Sequence, residues 1–153
     1  MGYRPHPKRR IDIPKPGSEQ GRPLGISSLE DKSVERATQR VLAPLFEPLF
    51  DDGSYGYRPQ RSPHQCLDAL GRTLQQKRVN ILVEADIRGF FDAVHHEWLL
   101  KFLRQRIGDE RVIRLISRMV KAGIMEDGLV QGAEVGTPQG AMSTLPTKLP
   151  TFW

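Results

Sequence analysis

Val83-Glu84-Ala85-Asp86-Ile87-Arg88-Gly89-Phe90-Phe91-Asp92 is the stretch whose reading decides the fold. The apolar run Asn80-Ile81-Leu82-Val83 leads into it and predicts a buried strand at about 80–86. Asp86 closes that strand and delivers one carboxylate to a surface. Phe91 then sets a bulky ring close to the carboxylate. A strand-end Asp, a small bend and an aromatic suit a site that binds a metal-chelated nucleotide. Such chemistry calls for at least one further carboxylate, because two divalent cations have to be held close together. The rest of the 153 residues offers no convincing one, so the expectation is part of a site and not a whole one.

Length and composition bound the rest. A chain of 153 residues with 38% hydrophobic content can bury a core, as one domain at most. Twelve prolines and fourteen glycines make it loop-rich, above all at its two ends. The lone Cys66 excludes an internal disulfide. Its place on an apolar helix face predicts a packed thiol and not a nucleophile. No apolar run approaches ~20 residues and no signal-type segment follows the N-terminus. The expectation is a cytoplasmic protein with no membrane partner.

The net charge of +5 and a pI near 9.7 are moderate, but the charge is unevenly spread. Arg4, Lys8, Arg9, Arg10, Lys15 and Arg22 face only Asp12 and Glu19 within residues 1–22. Such a basic, proline-punctuated arm suits a phosphate backbone, where each neutralised phosphate releases counterions. Taken alone, it reads equally well as a solvated terminus.

The middle of the chain has clearer periods. Ser27-x-x-Glu30 has the form of a capping box. Leu29, Val34, Ala37, Val41, Leu42, Leu45, Phe46 and Leu49 follow at helical spacing, with Pro44 and Pro48 set to kink or divide the helix. Asp51-Asp52-Gly53-Ser54-Tyr55-Gly56 predicts a turn. Ser62-x-x-Gln65 caps a second helix with Pro63 in its first position and Cys66, Leu67, Leu70 and Leu74 on its apolar face. Beyond the strand, two helices are predicted near 96–107 and 109–122, the second stopped by Gly123. Asp127-Gly128 marks a hairpin within 124–137. Residues 141–153 show no period and two spaced prolines, and do not read as the end of a domain.

Five motifs then occur in order at suitable separations: Arg10-Ile11-Asp12-Ile13-Pro14-Lys15, Arg22-Pro23-Leu24-Gly25-Ile26, Ser54-Tyr55-Gly56-Tyr57-Arg58-Pro59, Asp86-Ile87-Arg88-Gly89-Phe90-Phe91-Asp92 and Gly136-Thr137-Pro138-Gln139-Gly140. Together they make the chain, over about residues 3–140, resemble the reverse transcriptase domain of group II intron-encoded proteins, the reverse transcriptase/maturases. The resemblance implies an α+β fold, the fingers and incomplete palm of a right-hand polymerase. Residues 1–26 would be the basic arm and start of the fingers, 27–78 the helical fingers, 79–140 a partial palm and 141–153 an aberrant tail. It also resolves the basic arm in favour of nucleic acid.

The resemblance implies roles residue by residue. Asp86 looks like the first metal-binding palm carboxylate, and the Ile87 carbonyl would ligate the same Mg²⁺, an ion that favours hard oxygen donors. Phe91 matches the aromatic gate that leaves no room for a ribose 2′-hydroxyl, although such a ring read alone is more often core. Lys15 and Arg22 match fingers residues that grip the triphosphate, where cations offset phosphoryl charge. Either, read alone, is a plain surface charge. Gln139 and Gly140 match the turn beneath the nucleotide and templating base, or form a generic turn. Lys8, Arg9, Arg10, Arg58 and Arg61 would touch intron or template RNA. The partners implied are RNA, a DNA primer and dNTP.

Other positions read more plainly. Asp92 braces the bend, His95 and His96 form a turn and cap, and His64 carries no catalytic signal. Trp98, Leu99, Phe102 and Leu103 are expected in the core. The family continues past Pro-Gln-Gly into a Tyr-x-Asp-Asp hairpin that this sequence does not contain. Asp51-Asp52 lies upstream of Asp86, before the Ser-Tyr-Gly-Tyr motif, and cannot stand in for that missing pair. Two expectations follow: a reverse transcriptase fragment inactive by itself, with a frameshift, a premature stop or an incomplete sequence open as the reason, or a non-catalytic RNA-binding remnant or decayed product.

Overall fold

Among the described residues, four α-helices and a four-stranded sheet organise the chain. The computed structural model describes residues 2–14, 17, 21–132 and 136, with backbone only at 22. Strands β1 (Lys8–Ile13) and β2 (Arg22–Ile26) come first, then α1 (Leu29–Phe46), α2 (Pro63–Gln76), α3 (His96–Arg104) and α4 (Glu110–Val120). Strands β3 (Ile124–Glu126) and β4 (Leu129–Gln131) follow. The sheet order is β2-β1-β3-β4. β1 runs antiparallel to β2, with Arg9 opposite Ile26 and Ile11 opposite Leu24, and parallel to β3, with Lys8 opposite Ile124. Pro23 sits on the edge strand, where its missing N–H costs no ladder bond.

Local chemistry accounts for most of these elements. The β3–β4 turn is Asp127-Gly128, both at positive φ (49° and 80°), which is the two-residue turn whose twist matches a hairpin. α2 starts with the full reciprocal capping box of Ser62 and Gln65. α1 tightens after Phe46 into a 3-10 turn at Glu47–Leu49 that contains Pro48, so Pro48 divides the helix as expected, whereas Pro44 is carried inside α1 without dividing it. The α1 cap lies one residue later than expected: the Ser28 hydroxyl accepts from the Asp31 amide. Ser27 instead donates to Glu35 at 3.0 Å.

The apolar core joins Leu42 and Phe46 of α1 to Leu99, Leu100, Leu103, Ile107, Ile113, Ile116 and Val120. The buried stripe of α1 is therefore apolar at one end and acidic at the other, where Asp31 and Glu35 are enclosed. Leu29, Val41 and Leu45, expected on the apolar face, are exposed. Trp98 and Phe102 also lie outside the core; Trp98 is 60% exposed, with the Lys101 ammonium 4.7 Å over its ring.

The expected strand at about 80–86 is not formed. Residues 78–87 have no regular structure, and Ile81 and Val83 are 80% and 82% exposed. A strand exists only when a neighbour completes its ladder, and no described segment pairs with this one. Cys66 is half-buried on a helix that buries no residue, so its thiol is less enclosed than expected. The stretch read as an arm holds β1 and β2, whose Ile11, Ile13, Leu24 and Ile26 alternation was masked by flanking charges. The tail 141–153 lies outside the described residues.

Candidate functional site

The segment after Asp86 is held by backbone geometry. Gly89 adopts φ +63°, a conformation costly for any residue with a Cβ. Its carbonyl accepts from the amides of Asp92 (3.0 Å) and Ala93 (3.1 Å), closing the bend. The bend sets the rings of Phe90 and Phe91 edge to face, centroids 5.4 Å apart. Phe91 is half-buried.

Gly136, the first residue of the Gly-Thr-Pro-Gln-Gly motif, is clamped onto this bend. Its amide donates to the Val94 carbonyl at 2.9 Å, and its carbonyl accepts from His96 Nε2 at 2.7 Å. A Cβ on Gly136 would stand 3.0 Å from the Asp92 carbonyl oxygen and 3.3 Å from that of Phe91. The backbone approach and the positive φ (+87°) both demand glycine. His95 takes the N-cap position of α3, as the turn-and-cap reading of the pair expects, and His96 is a buried strut. Donation to a carbonyl places its proton on Nε2, leaving Nδ1 buried without a partner among the described residues. The structure so joins two motifs that sequence could only set in order.

Asp86 and Ile87 stand on the exposed, irregular segment just before the bend. A carboxylate and a carbonyl are suitable oxygen donors for magnesium. Among the described residues no group of three acidic, histidine or cysteine side chains gathers around them or elsewhere. The described residues do not by themselves complete a two-metal site. Lys15, Gln139 and Gly140 lie outside the described residues, as does the side chain of Arg22, whose backbone is paired opposite Ile13.

The basic residues divide sharply. Lys8, expected to face RNA, is buried, its Nζ 3.2 Å from Glu35 Oε1. Burial lowers its pKa, and Glu35 only partly opposes this. Its amide also donates to the Gly123 carbonyl, so it is a structural residue with no route to a phosphate. Arg58 is half-buried; it bonds Glu47 Oε1 at 2.9 Å and the carbonyls of Asp51 and Ser54, and lies over the Phe50 ring. Those contacts shape the Ser-Tyr-Gly-Tyr-Arg-Pro loop. Arg61 pairs loosely with Asp52 and stacks on Tyr55. Arg9 and Arg10 face solvent, Arg10 between Asp12 and Glu126 at 3.3 Å each.

A second polar cluster ties the N-terminal segment to α1. Asp31 accepts from the Tyr3 hydroxyl, the Ser28 hydroxyl and the His6 amide. Burial pushes its carboxyl upward, but these donors outweigh it and hold the pKa below the ordinary aspartate value. Burial and the bond to Asp31 raise the pKa of Tyr3. Sequence reading missed one basic surface altogether. Arg111, Arg114 and Arg118 recur at three- and four-residue spacing on α4, a signal that was available in the predicted helix.

The family described as reverse transcriptase (RNA-dependent DNA polymerase) matches residues 13–144. Over 143 residues the chain is 39% identical to Protein YkfC of Escherichia coli (strain K12), covering 92% of this chain and 37% of that protein. It is 39% identical over 140 residues to the Group II intron-encoded protein LtrA of Lactococcus lactis subsp. cremoris, covering 92% of this chain and 23% of that one. A 91 kDa protein in the cob intron of Schizosaccharomyces pombe is 38% identical over 136 residues, 89% of this chain and 16% of its own. The chain therefore spans a minor part of the length of each of these relatives.

Proposed function

The chain belongs to the reverse transcriptase family, and from that premise we propose that it supplies the fingers and first palm segment of a group II intron-encoded reverse transcriptase/maturase. The reaction of the whole protein would be template-directed addition of dNTP to a primer 3′-hydroxyl on RNA. The observation that carries this reading is the clamp of Gly136 onto the Phe91-Asp92 backbone. It brings the segment bearing the carboxylate and gate against the motif assigned to the nucleotide floor.

In this reading Asp86 and the Ile87 carbonyl offer oxygen donors to Mg²⁺, which would offset phosphoryl charge when bound. Phe91 excludes a 2′-hydroxyl. Lys15 and Arg22 hold the triphosphate, and Gln139 and Gly140 pack below the base. Residues 1–153 by themselves catalyse no extension, because one carboxylate cannot offset two divalent cations or hold nucleophile and triphosphate in line. A non-catalytic reading, an RNA-binding polypeptide, draws support from the solvent-facing Arg9 and Arg10.

Two assays test this. The purified chain should show no primer extension with Mg²⁺ and dNTP; template-dependent extension would overturn the inactivity. A chimera in which residues 3–140 replace the matching segment of an active full-length family member should extend a primer on RNA. Asp86→Ala should abolish that extension, and Phe91→Ala should admit ribonucleotides. A chimera that extends equally well with Asp86→Ala would refute the assignment of the site.

A further inference from the structure

We propose that the outer face of α4, together with Tyr3, is a phosphate-binding cleft for an RNA strand. This rests on the reading that the chain works on RNA. It relocates much of the RNA contact to residues outside the five motifs.

The cleft follows from how α4 is buried. Ile113, Ile116, Met119 and Val120 face the core, which turns Arg111, Arg114 and Arg118 outward along one side. Tyr3, anchored through its hydroxyl to buried Asp31, lies beside that side, and its carbonyl accepts from Arg118 Nη1 at 3.0 Å. Tyr3, the three arginines and Leu115 line a cleft of about 430 Å³. It is concave because the N-terminal segment forms one wall and the helix the other.

Its arginines outnumber the carboxylates beside them. Arg111 pairs with Asp109 at 3.0 Å in full solvent contact. Arg114 donates to the Glu110 carbonyl and Arg118 to that of Tyr3, both neutral partners. Glu110 itself is engaged by Arg104 at 2.9 Å. Three guanidinium groups so share the cleft, with Asp109 paired to Arg111 and both Asp109 and Glu110 near enough to feel the charge of Arg114, and guanidinium forks match phosphate oxygens. From Arg111 to Arg118 the helix rises roughly 10 Å, further than one phosphate group reaches, so the fit is to successive phosphates of a strand. Lys8 and Arg58 are committed inside the protein, which leaves this face as a major cationic surface among the described residues.

The test uses the full chain and a short labelled single-stranded RNA, titrated by fluorescence anisotropy over a series of salt concentrations. Joint replacement Arg111→Gln, Arg114→Gln and Arg118→Gln should weaken binding about ten- to a hundredfold and reduce the slope of log affinity against log salt by about 2. The three side chains are exposed, so circular dichroism should be unchanged. If Arg118→Gln loosens Tyr3, the double variant Arg111→Gln/Arg114→Gln spares that contact and should still reduce the slope by about 1. Unchanged affinity and slope in both variants, with the parent chain binding RNA, would overturn the cleft alone. No RNA binding by the parent chain would overturn the RNA reading as well. Displacement of RNA by inorganic phosphate beyond its ionic-strength effect would mark a simple anion site and refute the strand.

Discussion

α4 and α2 have comparable sequence credentials and opposite fates. Both have a side-chain cap and an apolar stripe, yet α4 buries four residues and α2 buries none. Leu67 of α2 is 65% exposed, while Ile113 and Ile116 of α4 are each 1% exposed. The apolar stretch that follows α2, from Val79 to Ile87, shares its exposure. Caps and period suffice to set helical backbone; burial needs an opposing surface, which α1 and α3 give to α4 and no described element gives to α2. Contiguous exposed apolar surface of this kind marks a contact or aggregation surface.

The largest expected effect tests the packed side at its polar end. Lys8→Met should cost about 3–5 kcal/mol, since it strips buried Glu35 of its cation. Adding Glu35→Leu should recover most of that. Urea denaturation decides, and an inert single variant would show that this pair does not hold β1 to α1. Next, Leu103→Ala, at a fully buried position, should cost about 3 kcal/mol. A cost under about 1 would mean that the core is looser than its packing implies.

The packed side should also carry the acid sensitivity. Asp31 has a folded pKa below its unfolded value, so its stabilisation is complete above the unfolded value near 4 and is lost as pH falls through the folded one. Asp31→Asn should cost about 1–3 kcal/mol at neutral pH and flatten stability against pH in that acid window. Thermal melts across an acid series would show a parallel, undiminished slope in the variant if Asp31 is not responsible.

The exposed side should respond locally. Ser62→Ala, which breaks the capping box, should destabilise α2 by about 1 kcal/mol, seen as faster amide exchange confined to residues 63–76. Slower exchange or spread to α4 would show that α2 is coupled to the core after all. The smallest effect belongs to Leu70→Ala, which should stay within about 0.5 kcal/mol of the parent. A loss near that of Leu103→Ala would erase the contrast between the two sides.

What could be read from sequence was what is chemically local. Asp127-Gly128 dictates its own turn, Ser62 and Gln65 cap their own helix, and Pro48 tightens the end of α1. The family and its α+β class were legible because five motifs keep their order. The strand expected at 80–86 failed, because a strand needs a partner beside it and no described segment pairs with these residues. Lys8 looked like a surface cation for the same reason: its burial is decided by Glu35 on α1. At the site, Gly136 could be flagged as glycine in a motif, but its contact with Asp92 and the bond from His96 belong to tertiary structure.

The parallel pairing of β1 with β3 has a consequence in time. Lys8 and Arg9 take their partners from Ile124 and Met125, so the sheet cannot close until more than four-fifths of this sequence has left the ribosome. Until then β1 and β2 wait as an antiparallel pair with the inner edge of β1 open, while α1 to α4 emerge beside them. Open strand edges invite wrong pairing, and such distant partners make for slow closure. The cap on that edge is the short hairpin around Asp127-Gly128, whose quick local formation readies β3 to receive β1.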